Sequence, residues 1–156
     1  MHSATSIVIH APREKIFETV RDLSRWPELL PHYRYVTALG RDKGREIVKM
    51  ACVRSGIPIA WTSAYEADAR TLELRFEHLR AWTKGMKVVW TLTPRADGTR
   101  VEIVHDLKFR VRALAWLVEP IIGGFFIDHV AGQTLQTFKR LIEASSESVA
   151  PEVAAS

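Results

Sequence analysis

The stretch Trp90–Asp106, which reads WTLTPRADGTRVEIVHD, decides the fold of this chain. Its middle holds Asp97-Gly98, a strong signal for a two-residue β-hairpin, because the tight turn needs positive φ angles that few residues tolerate. Placing these two residues in the turn sets Trp90 opposite His105 on the partner strand. The stretch therefore predicts an antiparallel hairpin. A slip of two residues would set Val88 opposite His105 instead, and His105 would stay inside.

Alternation after the turn predicts which face of the second strand is buried. Apolar and polar residues alternate along Arg100–Phe109, and burying the face of Glu102 and Asp106 would leave several charges without water. The opposite face must therefore point to the core. It carries Val101, Ile103, His105, Leu107 and Phe109.

The same period of two runs through most of the chain. Short turns with signals such as Gly40, Gly44 and Ser55-Gly56 separate the segments, which makes the sheet an antiparallel meander. The strands are predicted at Tyr33–Leu39, Glu46–Arg54, Ile57–Glu66, Thr71–His78, Met86–Thr93 and Arg100–Phe109. Both faces of the second of these are apolar, so its orientation is open.

Helical patterns flank the meander. A short strand at Ser6–His10 precedes a helix over Arg13–Arg21, which Pro12 can start, and a second short helix that Pro31 ends. The period of 3.6 returns over Arg112–Ala144, which predicts a long C-terminal helix.

The fold class that follows is α+β. A curved antiparallel sheet of about seven strands wraps around the long C-terminal helix, which Pro120 and Gly123-Gly124 should kink or interrupt. One domain covers residues 1–144, and the small, polar residues 145–156 are expected to form a disordered tail.

A cavity is predicted between the sheet and the helix. Aromatic residues crowd the inner face of the sheet, and Gly123, Gly124 and Gly132 make the helix too thin to fill the concavity. Apolar pockets with a few convergent polar groups are typical of ligand sites. The predicted ligand-binding residues are Trp61, Ser63, Tyr65, Leu74, Phe76, His78, Val88, Trp90, Ile103, His105 and Phe125.

The order of elements resembles that of the START-like, helix-grip superfamily, which includes polyketide cyclase/dehydrase, plant allergen-type and coenzyme Q-binding proteins. The resemblance covers residues 5–144 and is carried by Ile9–Pro12, Arg25-Trp26-Pro27, Trp61–Tyr65 and Trp90–Val101. Residues 107–110 look closest to the coenzyme Q-binding branch. The resemblance implies the helix-grip fold and, as a function, binding of a lipid, an isoprenoid quinone or a polyketide-like molecule.

Two further functions stay open beside binding. A neutral imidazole can act as an acid or a base near pH 7, so a cyclase, aromatase or dehydratase could use His105. The alternative for His105 is a buried structural histidine bonded to a neighbour. Asp128-His129 suggests a dyad, but the helical period places His129 on the polar face. Some relatives act on protein complexes, so an interaction module of the respiratory chain or the ribosome is the third hypothesis.

Composition and residue spacing limit the classes of partner and cofactor that this chain is expected to bind. The net charge of +4 is scattered, which argues against nucleic acid, and the spacing of His, Cys and acidic residues predicts no metal site and no cofactor. The single cysteine, Cys52, excludes an intrachain disulfide and favours a cytoplasmic location. The expected partner is a hydrophobic small molecule, with transient membrane contact for its exchange, and monomer and homodimer both stay open.

Overall fold

Seven antiparallel strands form one sheet, in the order β1-β7-β6-β5-β4-β3-β2. The computed structural model describes residues 1–80, 83–108, 116–117 and 120–155, with the backbone alone for 122 and 146–155. The predicted meander is confirmed, because each strand from β2 to β7 pairs with the next along the chain. The strands are β1 (His2–Ile9), β2 (Tyr33–Asp42), β3 (Arg45–Arg54), β4 (Ile57–Asp68), β5 (Glu73–His78), β6 (Lys87–Arg95) and β7 (Gly98–Asp106).

The two predicted short helices are present between β1 and β2. Helix α1 (Arg13–Val20) starts directly after Pro12, whose missing N–H costs nothing in a first turn. A 3₁₀ turn (Leu23–Arg25) follows, and the Asp22 carboxylate caps it by accepting the Ser24 N–H. Helix α2 (Trp26–Leu29) is a single turn. The helices close one end of the sheet.

The C-terminal helix changes its winding along its length. Pro120–Asp128 is a π-helix, here called the π-segment, and helix α3 covers His129–Ala155. The change lies where Pro120 and the glycine pair predict an interruption. Residues 112–115 and 118–119, part of the predicted helix, lie outside the described residues, as does Phe109. The division into a domain over 1–144 and a disordered tail stays a prediction.

The literal register with Asp97-Gly98 in the turn is wrong, and the alternative with a slip of two residues is confirmed. Arg95 pairs with Gly98, so the turn consists of Ala96 and Asp97, and Val88 rather than Trp90 lies opposite His105. Gly98 serves strand packing instead of the turn: a Cβ there would lie 2.3 Å from the Ile9 carbonyl oxygen on β1. An even shift keeps every side chain on its predicted face.

The edge strand β2 is irregular. Tyr33 pairs with Cys52 but Tyr35 with Ala51, so one extra residue is inserted between them, and a second lies between Ala38 and Gly40. Such β-bulges bend a strand and interrupt its ladder of hydrogen bonds.

Trp26 sits at the centre of the core and is only 2% exposed. Its indole N–H donates to the Val20 carbonyl at 2.9 Å, which ties α2 to the end of α1. The ring touches those of Tyr33, Phe76, Trp90 and Phe138, with centroid distances of 5.2 to 6.2 Å. Because these rings belong to β2, β5, β6 and α3, Trp26 joins the sheet to the long helix.

Candidate functional site

A cavity of about 120 Å³ lies between the inner face of the sheet, the π-segment and the start of α3. An engineered apolar cavity of about 150 Å³ binds benzene, so this space suits one aromatic ring, with continuation toward solvent. It is lined by Trp26, Tyr33, Met50, Cys52, Ile59, Ala60, Trp61, Phe76, His78, Thr83, Met86, Val88, Trp90, Ile103, His105, Phe126, Ile127, Val130, Ala131 and Thr134.

The mouth of the cavity faces the π-segment. Among the described lining residues, Ile59, Trp61, Thr83 and Phe126 are half-buried, whereas Trp26 is closed off from solvent. The opening therefore lies between the start of β4, the β5–β6 turn and the π-segment.

The cavity brings together a large part of the predicted ligand-binding set. The lining residues from that set are Trp61, Phe76, His78, Val88, Trp90, Ile103 and His105. They share the inner face of β4 to β7, which is the face that alternation assigns to the interior. Their role in binding stays a prediction.

The other four predicted ligand-binding residues lie outside the lining. The Tyr65 hydroxyl donates to the Arg21 carbonyl at 2.7 Å, and Leu74 is fully buried in the core. Ser63 is also fully buried, and its Oγ has no hydrogen-bond partner in the described part of the chain. Phe125 lies under the Arg54 guanidinium, 4.1 Å from ring centroid to Cζ.

Two groups of lining residues were missed from the sequence. Met50 and Cys52 lie on β3, where both faces are apolar and alternation gives no answer. Phe126 and Ile127 lie on the π-segment, where an α-helical period places Phe125 and Ile127 inward but not Phe126. A π-helix has i→i+5 hydrogen bonds, so its extra residue per turn rotates the inward face. Pro120 and the pair Gly123-Gly124 are the sequence features that could have predicted this change in helical winding.

His105 is a half-buried base in the wall of the cavity. Its Nδ1 is closed off from solvent and has no hydrogen-bond partner among the described residues. Burial lowers the pKa of His105 to about 4, against the opposing pull of the Asp128 carboxylate. The imidazole is therefore neutral at pH 7, with a lone pair or an N–H to offer a guest.

His78 forms a second polar point beside it. Its Nδ1 lies 2.8 Å from the Thr83 hydroxyl, and its ring is parallel to that of Trp61, with centroids 5.9 Å apart. Burial, and less so the neighbouring His105, lowers the pKa of His78 to about 3. This histidine is likewise neutral, and its position is fixed by two partners.

A third polar group lies across the cavity on α3. The Thr134 hydroxyl donates to the Val130 carbonyl at 2.7 Å, so it must accept the hydrogen bond from His32 Nε2 at 2.8 Å. His32 therefore carries its proton on Nε2, and burial lowers its pKa to about 4. Burial also raises the pKa of the Cys52 thiol to about 12, which keeps it protonated. The lining residues that the structure describes thus carry no charge at neutral pH.

Two other kinds of feature, a metal site and a membrane-spanning helix, are absent from the described residues. No group of three or more His, Cys, Asp or Glu side chains in the described part of the chain is placed to hold a metal ion. Over the same residues, no helix has the length and apolar character needed to cross a membrane. A cytoplasmic location stays a prediction.

Known proteins share this architecture over most of the chain. The model of the family described as polyketide cyclase / dehydrase and lipid transport matches residues 9–138. The granaticin polyketide synthase bifunctional cyclase/dehydratase of Streptomyces violaceoruber is 31% identical over 70% of this chain, which spans 34% of that relative's length. The chain spans about a third of that protein, so the alignment covers only one part of the relative.

Solved structures show the same fold. The Zhui aromatase/cyclase of Streptomyces sp. R1128 superposes with a TM-score of 0.74 at 16% identity, over 92% of this chain and 93% of that one. A START superfamily protein of Mycobacterium smegmatis gives 0.65 at 16% identity, over 95% and 98%. The helix-grip, START-like fold predicted from the sequence is confirmed, whereas the closer likeness to the coenzyme Q-binding branch stays a prediction. With the family model covering most of its length, the chain belongs to the polyketide cyclase / dehydrase and lipid transport family.

Proposed function

We propose that this protein binds a hydrophobic small molecule in the cavity under the π-segment. One observation carries the proposal: an aromatic-walled cavity that opens to solvent, without a charged side chain among its described lining residues. Apolar ligands gain free energy roughly in proportion to the apolar area that they remove from water. Trp61, Phe76 and Trp90 offer ring faces to such a guest, and His78, His105 and Thr134 offer polar contacts.

Filling the cavity is expected to abolish binding. Ala131 lines it from α3 and is 5% exposed, so Ala131→Leu places a branched side chain in the space of the guest. We expect the Kd for 2-naphthol, measured by isothermal titration calorimetry, to rise at least about tenfold, which is a loss of about 1.4 kcal/mol. Overpacking of a filled core costs about 1–3 kcal/mol of stability, and the cavity should reduce that cost.

Ala144→Leu is the matched control, because Ala144 lies on the same helix and is exposed. This variant should bind 2-naphthol like the wild type. Equal binding by wild type and Ala131→Leu would contradict the proposed location. A cavity that accepts neither 2-naphthol nor any member of a lipid, quinone and polyketide-analogue panel would overturn the binding function itself.

A cyclase or dehydratase activity is the second candidate, and the unpartnered Nδ1 of His105 favours it. A neutral imidazole facing a bound β-ketoacyl compound can take the proton from the carbon between the two carbonyls, which is the step that begins cyclisation. The polyketide cyclase / dehydrase family model and the cyclase/dehydratase relative support this chemistry. General acid–base catalysis of this kind contributes about 10²–10⁴-fold.

Loss of the His105 imidazole should therefore slow proton exchange on a bound substrate analogue. In D₂O, an aryl β-keto thioester exchanges the protons of its activated methylene, and NMR follows the rate. We expect His105→Ala to lower the protein-dependent part of that rate at least about tenfold while the thioester still binds. His129→Ala is the control, since His129 is exposed on α3. Unchanged exchange in His105→Ala would exclude the catalytic role.

A further inference from the structure

An unpaired arginine stands at the mouth of the cavity. Along β3, Met50 and Cys52 line the cavity, and Arg54 follows on the same face at the end of the strand. Its guanidinium lies on the Phe125 ring, with Cζ 4.1 Å from the centroid. Phe126, the next residue on the π-segment, is itself a lining residue. Arg54 thus carries a positive charge next to a cavity whose described lining residues are uncharged.

The charge of Arg54 is not balanced within the described part of the chain, where no carboxylate lies within 4 Å of it. Its Nε is closed off from solvent and has no hydrogen-bond partner among the same residues. By contrast, Arg75 on the outer face contacts both Asp68 and Glu73. A shielded N–H donor without an acceptor costs about 1–3 kcal/mol, which an incoming acceptor recovers.

The planar guanidinium selects the kind of acceptor. It donates two parallel hydrogen bonds to a carboxylate or a phosphate, and these charge-assisted bonds are about twice as strong as neutral ones. The Phe125 ring lies against the guanidinium, with Cζ 4.1 Å from its centroid, and a ring in this position accepts none of the guanidinium N–H hydrogen bonds in the way a carboxylate would. The described lining residues offer such an anion no positive charge, because His78 and His105 are neutral.

We propose that Arg54 anchors the oxyanion of an amphiphilic ligand whose uncharged aromatic body occupies the cavity. The inference rests on the proposed binding function and adds the chemical class of the ligand: an apolar ring system carrying a carboxylate or a phosphate on a short tether. The ring enters first, and the anion stays at the mouth between the end of β3 and the π-segment.

Three probes with the same aromatic body test this anchor. They are 4-(2-naphthyl)butanoate, its primary amide, and 3-(2-naphthyl)propyl phosphate, measured by calorimetry at low ionic strength. In the wild type we expect the carboxylate and the phosphate to bind at least about tenfold more tightly than the amide. Arg54→Gln should weaken both anions to the level of the amide and leave the amide unchanged. Arg54→Lys should keep part of the preference through its charge.

Arg34→Gln is the matched control, since Arg34 is an exposed arginine on the neighbouring strand β2. It should leave all three affinities unchanged. Equal binding of amide and anions by the wild type would overturn the anchor while leaving the cavity function intact, as would an equal loss in Arg34→Gln and Arg54→Gln. Failure of all three probes to bind the wild type would instead overturn the proposed binding function, and the anchor with it.

Discussion

Between pH 6 and pH 5 the free energy of unfolding is expected to fall by about 3–4 kcal/mol. Three histidines cause this loss, because desolvation lowers the pKa of His32 to about 4, of His78 to about 3 and of His105 to about 4. In the unfolded chain each returns to a pKa of about 6.5. Over this window the unfolded state therefore binds up to three more protons than the folded state, and stability rises with pH.

Each histidine contributes about 1.4 kcal/mol per pH unit once the pH is well below 6.5 and above its folded pKa. Urea unfolding at pH 7.5, 6 and 5 measures the effect. His32→Gln should lower the slope by roughly a third. Constant stability from pH 7 to pH 5 would contradict the burial of these rings as neutral bases.

Replacing Gly98 with alanine is expected to cost at least about 3 kcal/mol. The new Cβ would lie 2.3 Å from the Ile9 carbonyl oxygen and 2.9 Å from the His10 Cα, both of which are backbone atoms. No side-chain rotation can relieve such an overlap, so β1 would have to separate from β7. The φ of +145° adds strain of its own.

Gly40→Ala separates these two causes. Gly40 has a φ of +137°, but a Cβ there meets nothing within 4 Å. This variant carries the backbone strain alone, and we expect it to cost about 1–2 kcal/mol in the same urea measurement. If Gly98→Ala lost no more stability than Gly40→Ala, β1 could move away from the new Cβ without a cost in stability. That result would contradict the close contact between Gly98 and β1.

The face of the sheet on which each side chain lies could be predicted from the sequence, but the pairing register between strands could not. A side chain's face depends only on whether its position is odd or even, so His105 and Trp90 were placed inward despite the wrong hairpin turn. The register depends on Gly98, whose closeness to Ile9 involves a strand about 90 residues away in sequence. Local turn preferences hold no information about such a contact.

The helical wall of the cavity was predicted in part, for a different reason. The helix and its break followed from periodicity together with Pro120 and the glycine pair. Which of its side chains point inward depends on the number of residues per turn, so π-winding exchanges Phe125 for Phe126, whereas Ile127 points inward as the α-helical period predicts. Nothing in the sequence singles out Arg54, because the lack of a carboxylate near its guanidinium among the described residues is visible only in the folded structure.

The two bulges of β2 have a consequence for the protein at high concentration. A regular ten-residue edge would offer neighbouring copies a continuous ladder on which to polymerise. Here the insertions leave Tyr35–Ala38 as the longest run that keeps a regular register with β3. The insertions shorten the regular template that this edge offers to a foreign strand, so we expect β2 to resist edge-to-edge pairing between copies.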